Sequence, residues 1–190
     1  MSENIIKYKC LPTNEFIFGK FSLKSIRFED RNLVLKWRNE QVFHLRQSGK
    51  LTIEQQDSYF INVVSKLYEV DRPDQLLFSF FENDEMVAYG GLVHINWIDQ
   101  HAEVSFLINT DLQSHNFEYY WTSYLKIISE IAFEHLKFHK IFTYAFDLRP
   151  QLYPILIEAG FIFEARLKEH CYFESKFIDV LIHSKYATTI

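Results

Sequence analysis

Apolar and polar positions along this chain alternate, then recur at helical spacing, then alternate again. Residues 1–19 show no clear period and read as an extended arm with room for one strand. Lys20–Phe28 alternates apolar with polar, the mark of a half-buried strand. Glu29 and Asp30 supply the acids that a first helical turn favours, and Leu33, Val34 and Trp37 follow at helical spacing. A short helix is therefore expected over Asp30–Asn39.

Gly49 breaks the chain. Thr52 stands three residues before Gln55, the spacing of a capping box, and opens a helix to about Leu67. Ile53, Tyr59, Phe60, Val63, Val64 and Leu67 mark its apolar face. Arg72–Gln75 is a loop. Leu76–Phe81 and Met86–Trp97 are strand-like runs around the turn Glu82–Glu85, and Glu103–Ile108 is a third β run.

The strongest helical stripe spans Glu118–Leu136 through Tyr120, Tyr124, Ile127, Ile128, Ile131 and Phe133. Lys140–Phe146 follows as a strand. Pro150 suits a first helical position, and a helix over Gln151–Ala159 would stop at Gly160. Ile162–Ala165 and Phe177–His183 close the chain as strands, with Glu169–Phe173 extending the first. The order β-α-α-β-β-β-α-β-α-β-β predicts an α/β (α+β) fold, a mixed sheet flanked by helices. No repeat, low-complexity tract or linker divides it, so one domain is expected over residues 1–190.

Composition narrows the function. Hydrophobic residues make up 48% of the chain, enough for a sizeable core. The net charge of −5 comes with scattered cations and no basic stripe, against nucleic-acid binding. Cys10 and Cys171 make no disulfide framework, and no Cys/His cluster has metal-ligand spacing, so no metal is expected. No apolar run is long enough for a membrane span and no secretory h-region is present; a cytoplasmic location is expected. The 19 Phe and 11 Tyr read first as a bulky core. The other readings are an aromatic acceptor pocket and an oligomer interface such as a homodimer's.

Five motifs in order resemble the GNAT (Gcn5-related N-acetyltransferase) fold, in its ribosomal-protein and amino-sugar acetyltransferase branch. Leu35-Lys-Trp-Arg-Asn39 is similar to the end of the branch's first helix, and Ala102-Glu-Val-Ser-Phe-Leu-Ile108 to its fourth strand. Ala132-Phe-Glu-His-Leu-Lys-Phe-His-Lys-Ile141 resembles the junction into its fifth strand, and Leu156-Ile-Glu-Ala-Gly-Phe161 the end of its fourth helix. Ala165–His170 with Phe177–Val180 looks like its last hairpin.

The resemblance covers about residues 21–185. It implies a mostly antiparallel sheet of six to seven strands with about four helices. It also implies acetyl-CoA as acyl donor, bound where the fourth and fifth strands splay, and direct attack by an amine.

Carried over residue by residue, the resemblance places pantetheine against the backbone of Phe106, Leu107 and Ile108. The pyrophosphate falls on Gln113, Ser114, His115, Asn116, Phe117 and Glu118, with Tyr119 and Arg149 nearby. That segment departs from the family's glycine-rich loop, since no glycine occurs between Gly91 and Gly160. Two readings stand: the nucleotide is held by backbone and by cations elsewhere, or the loop has lost its ligand. Leu156 stands where many members carry a proton-donating tyrosine, which leaves Tyr153, one turn earlier, as the candidate acid.

Glu103 is the candidate base, on the strand face it shares with Ser105 and Leu107. His94 and Trp97, after the Gly90-Gly91 pair, are candidates for the acceptor side. So are Trp37, Arg38, Asn39, Arg46 and Gln47 after the first helix, and His170 and Asp179 on the closing hairpin. For each, a structural role competes with the functional one. The reading is an acetyl-CoA-dependent N-acetyltransferase acting on a small primary amine, with an amino sugar, free or nucleotide-linked, as favoured acceptor. A protein N-terminus as acceptor, or a catalytically silent GNAT-like binding domain, are the alternatives.

Overall fold

The computed structural model describes residues 6–45, 47 and 49–188, excepting the side chain of His115. Eight strands form one sheet in the order β1-β2-β3-β4-β5-β6-β8-β7. They are β1 (Glu15–Phe18), β2 (Phe21–Ser25), β3 (Leu76–Glu82), β4 (Glu85–Asn96), β5 (His101–Ile108), β6 (Lys140–Phe146), β7 (Ile162–Phe173) and β8 (Lys176–Tyr186). The strand beyond the expected seven is β1, the short piece within the N-terminal arm. Every neighbouring pair is antiparallel except β5 with β6.

Alternating side chains feed two cores. On one face, Phe78, Phe80, Ala102, Val104 and Phe106 pack against the long helix α4 (Thr110–Glu130) and α5 (Leu152–Glu158). On the other, Leu77, Tyr89 and Leu107 meet α1 (Arg31–Glu40) and Phe60 and Val64 of the next helix. That helix runs from α2 (Ile53–Tyr59) through a π turn (Phe60–Val64) into α3 (Ser65–Leu67). Its start is the expected capping box: Gln55 N–H donates to Thr52 Oγ1 at 3.2 Å, and Thr52 N–H to Gln55 Oε1 at 2.9 Å. Burying each large apolar side chain contributes roughly 1.5–3 kcal/mol.

Two glycines let the layers close. A Cβ on Gly90 would lie 2.2 Å from the Ser105 carbonyl oxygen and 2.7 Å from the Tyr124 hydroxyl. On Gly91 it would lie 1.9 Å from the Leu76 carbonyl oxygen. Both distances are sterically forbidden, so β4 can sit between β3 and β5 only without side chains at these positions.

The long helix begins earlier than its apolar stripe suggests. Polar Asp111, Gln113, Ser114 and Asn116 hide the first turns from a periodicity reading, but Asn109 caps them by accepting from Asp111 N–H at 3.2 Å. Only Asn116 leaves helical geometry, at φ −135° and ψ 23°. The expected phosphate loop is therefore two helical segments meeting at a kink.

Candidate active site

β5 and β6 pair in parallel only at His101–Glu103, against Lys140–Phe142. Beyond Glu103 they diverge. Asn109 N–H donates to the Val87 carbonyl at 2.9 Å. By antiparallel alternation the backbones of Leu107 and Ser105 then also face β4, and those of Val104, Phe106 and Ile108 face the gap. The gap is a cleft of about 310 Å³, walled by Arg38, His44, Tyr89, His94, Glu103, Ser105, Phe106, Thr143, Tyr144 and Arg149 among others. Thr143 Oγ1 is buried there without a hydrogen-bond partner.

At the vertex, Glu103 is buried, with its side chain 8% exposed, and lies 2.8 Å from Nδ1 of His94, whose side chain is 63% exposed. The geometry that brings them together is local. β4 slips register between Val93 and Asn96, and His94 adopts φ 49°, a left-handed conformation that turns its ring towards β5. A carboxylate behind an imidazole that presents its second nitrogen outward is an arrangement suited to taking a proton.

Two cations line the cleft. Arg149 lines both the cleft and a second cavity of about 570 Å³ formed with Phe43, Thr110, Gln113, Ser114, Phe117, Leu148 and Gln151. Among the described residues no carboxylate pairs with it. Burial pushes its guanidinium down to about 10, so it stays charged at neutral pH. His44 beside it is pushed down to about 3 by burial and by the Arg149 charge, and is neutral. Arg38 likewise has no carboxylate partner among the described residues, and its Nε donates to Gln47 Oε1 at 3.0 Å.

Several expected residues take other places. Trp37 is 1% exposed in the core between α1 and the sheet, and cannot touch a substrate. Trp97 donates its indole N–H to the Pro73 carbonyl at 2.8 Å and packs on Phe138. Asn39 clasps the following loop, bonding both backbone groups of Leu51 at 2.8 Å, and Gln47 buttresses Arg38. Arg46 lies outside the described residues.

Leu107 commits its backbone to β4 and cannot meet pantetheine. The Ile108 carbonyl is taken by Gln41 Nε2 at 2.8 Å, so of the three expected strand residues Phe106 alone keeps its backbone oxygen facing the gap. In the segment 113–118, Ser114 and Phe117 line the cavity at Arg149, whereas Asn116 and Glu118 line another surface with Tyr119. Gln113 also lines the cavity at Arg149, but its amide nitrogen donates to Gln41.

Tyr153 donates to Asp147 at 2.7 Å, and burial and this carboxylate hold its proton well above the usual tyrosine range, against an acid's role. Asp179 accepts from Glu169 N–H at 2.8 Å and from Arg166 at 2.9 Å, which fixes the β7 bulge. His170 approaches the cleft only through Tyr144, with ring centres 6.0 Å apart.

Residues the sequence reading passed over prove central. Gln41, 1% exposed, ties α1, β5 and α4 together: besides Ile108 it donates to Thr110 Oγ1 at 3.2 Å and its oxygen meets His44 Nε2 at 3.1 Å. Nothing in its spacing marks it. Tyr144, Thr143 and Tyr89 were visible as strand positions, but their cleft-side placement depends on the splay.

The fold is shared with spermidine N-acetyltransferase of Vibrio cholerae. Its complex with CoA and spermine superposes with a TM-score of 0.74 at 16% identity, covering 88% of this chain and 95% of that one. A dodecameric structure of that enzyme in an intermediate state gives 0.70 at 17% identity, over 88% and 94% of the two chains. At such identity the likeness speaks for the fold. No curated protein sequence matches the chain at a significant level. A family model for the acetyltransferase (GNAT) domain matches residues 23–182, and by that match the chain belongs to the GNAT acetyltransferase family, whose reaction moves an acetyl group from acetyl-CoA to an amine.

Proposed function

We propose that this N-acetyltransferase acylates a small, polar primary amine, with an amino sugar as the favoured class, and that His94 and Glu103 act together as its base. The observation that carries the reading is the pair at the vertex of the β5–β6 splay. Glu103 accepts Nδ1–H of His94, which leaves Nε2 to draw the proton from the incoming ammonium, directly or through one water. The freed amine then attacks the thioester carbonyl.

The chain's other groups fit the acetyl donor. The Phe106 backbone faces the open side of β5, the Thr143 hydroxyl lacks a partner inside the cleft, and Arg149 presents an uncompensated charge at the outer cavity. In this reading Phe106 orients the pantetheine arm and Arg149 takes a phosphate. Bringing both reactants into line supplies several kcal/mol before any proton moves.

The test is calorimetric titration with acetyl-CoA and CoA, followed by turnover of Glu103→Gln and His94→Asn on an amine panel. Each substitution should lower kcat about 10²–10⁴-fold, the usual yield of general base catalysis, while CoA still binds. Absence of CoA binding at millimolar ligand would overturn the donor assignment. Unchanged kcat in both variants would remove the pair from the base role.

A further inference from the structure

A third, smaller cavity of about 100 Å³ shares Arg38, Gln75, Tyr89, Val93 and Ser105 with the cleft and adds Tyr59. Its floor is apolar, from Ile26, Val34 and Leu77, while its polar groups converge from five segments of the chain. Gln75 Nε2 donates to Tyr59 Oη at 3.1 Å, which links those two. The Tyr89 hydroxyl is buried, and the Arg38 charge beside it offsets part of the rise that burial imposes on it. Among the described residues no acidic side chain lines this cavity, although the Asp74 charge reaches Tyr59. Arg38 thus brings a positive charge to a small cavity, and no described carboxylate pairs with it. A guanidinium set among neutral hydrogen-bonding groups is the arrangement that recognises a carboxylate or phosphate.

The cavity also adjoins the base along β5. Ser105 lines it, and Glu103 lies two residues away on the same face of β5, about 7 Å along the strand. Within the acetyl-transfer reading proposed above, we infer that the acceptor is zwitterionic: its amine sits at His94–Glu103 and an anionic group occupies the adjoining Arg38–Tyr89 cavity. Two separate subsites suit an amine and an anion held several bonds apart, as in ω-amino acids, aminoalkyl phosphates and amino sugars that carry a phosphate. A polyamine fits poorly, because its second ammonium would meet Arg38. The specificity would then oppose that named for the structural neighbours, on the same fold.

The experiment compares kcat/KM with acetyl-CoA for 5-aminopentanoate, 4-aminobutyl phosphate, pentylamine and spermidine. In parallel, 5-aminopentanoate is titrated by calorimetry into the wild type and Arg38→Gln. The anionic acceptors should exceed pentylamine at least ten-fold, spermidine should fall below it, and Arg38→Gln should collapse the ratio between 5-aminopentanoate and pentylamine. Whichever of the carboxylate and phosphate leads names the anion. Pentylamine or spermidine turned over as well as the anionic amines would overturn the inference and leave acetyl transfer standing. If no amine is acetylated and acetyl-CoA does not bind, the acetyl-transfer reading fails, and the titration still decides the cavity: binding lost in Arg38→Gln supports an anion site, and no binding to the wild type ends it.

Discussion

Removing the Arg149 charge offers the sharpest separation of ligand binding from folding. Burial lowers this guanidinium from 12.5 to about 10, which corresponds to about 3 kcal/mol of unrelieved desolvation. A phosphate at the outer cavity would offset that penalty, and a single charge-assisted hydrogen bond is worth about 1.5–3 kcal/mol. Arg149→Gln should therefore weaken CoA by about 10- to 100-fold.

The control is acetylpantetheine, which carries no phosphate but the same arm. Calorimetric titration of both ligands into both proteins forms a cycle in which CoA should lose at least ten-fold more affinity than acetylpantetheine. The salt dependence of CoA binding should also flatten. In the ligand-free protein the same substitution should leave thermal stability equal or higher, because it deletes a buried charge that nothing compensates. Equal losses for the two ligands would show that Arg149 acts through the shape of the cleft. No loss for CoA would place its phosphates elsewhere.

Two further predictions concern the scaffold. Gly90→Ala should destabilise by at least the 1–3 kcal/mol of core overpacking, since its Cβ would meet β5 backbone at 2.2 Å; Gly91→Ala should do the same through Leu76. Urea unfolding checks this, and midpoints within error of the wild type would refute it. The second concerns acid. The His44 value is lowered to about 3 in the fold against 6.5 unfolded, so between these values the unfolded chain binds the extra proton and stability falls as pH drops. From pH 7.5 to pH 5 this amounts to about 2 kcal/mol, and His44→Phe should flatten that part of the stability–pH curve. An unchanged slope would exclude His44 as its source.

Much of the scaffold is written locally. The capping box at Thr52, the β3–β4 hairpin and the face-sharing of Glu103, Ser105 and Leu107 need only neighbouring residues to specify them. The site is less legible, because its members gain meaning from contacts far apart in sequence. Gln41 meets Ile108 and Gln113, and nothing near residue 41 announces either partner. Trp37 and Trp97 look like binding residues by type and position, yet both are absorbed by packing. Residues 113–117 read as a phosphate loop because their polarity masks a helix that is held by its cap and by tertiary contacts rather than by an apolar stripe.

That helical mouth changes the thermodynamics of ligand capture. A flexible loop that closes over an anion gives up about 1–2 kcal/mol of backbone entropy for each residue it orders, and it does so at the moment of binding. Here the segment from Thr110 onward is already wound, capped by Asn109 and bolted to α1 through Gln41. The ordering penalty has been met during folding. In the proposed donor site, association would therefore carry a smaller entropic penalty than closure of a flexible loop. A receptor of this kind discriminates by rigid fit: it trades tolerance of variant donors for a mouth that is ready before the ligand arrives.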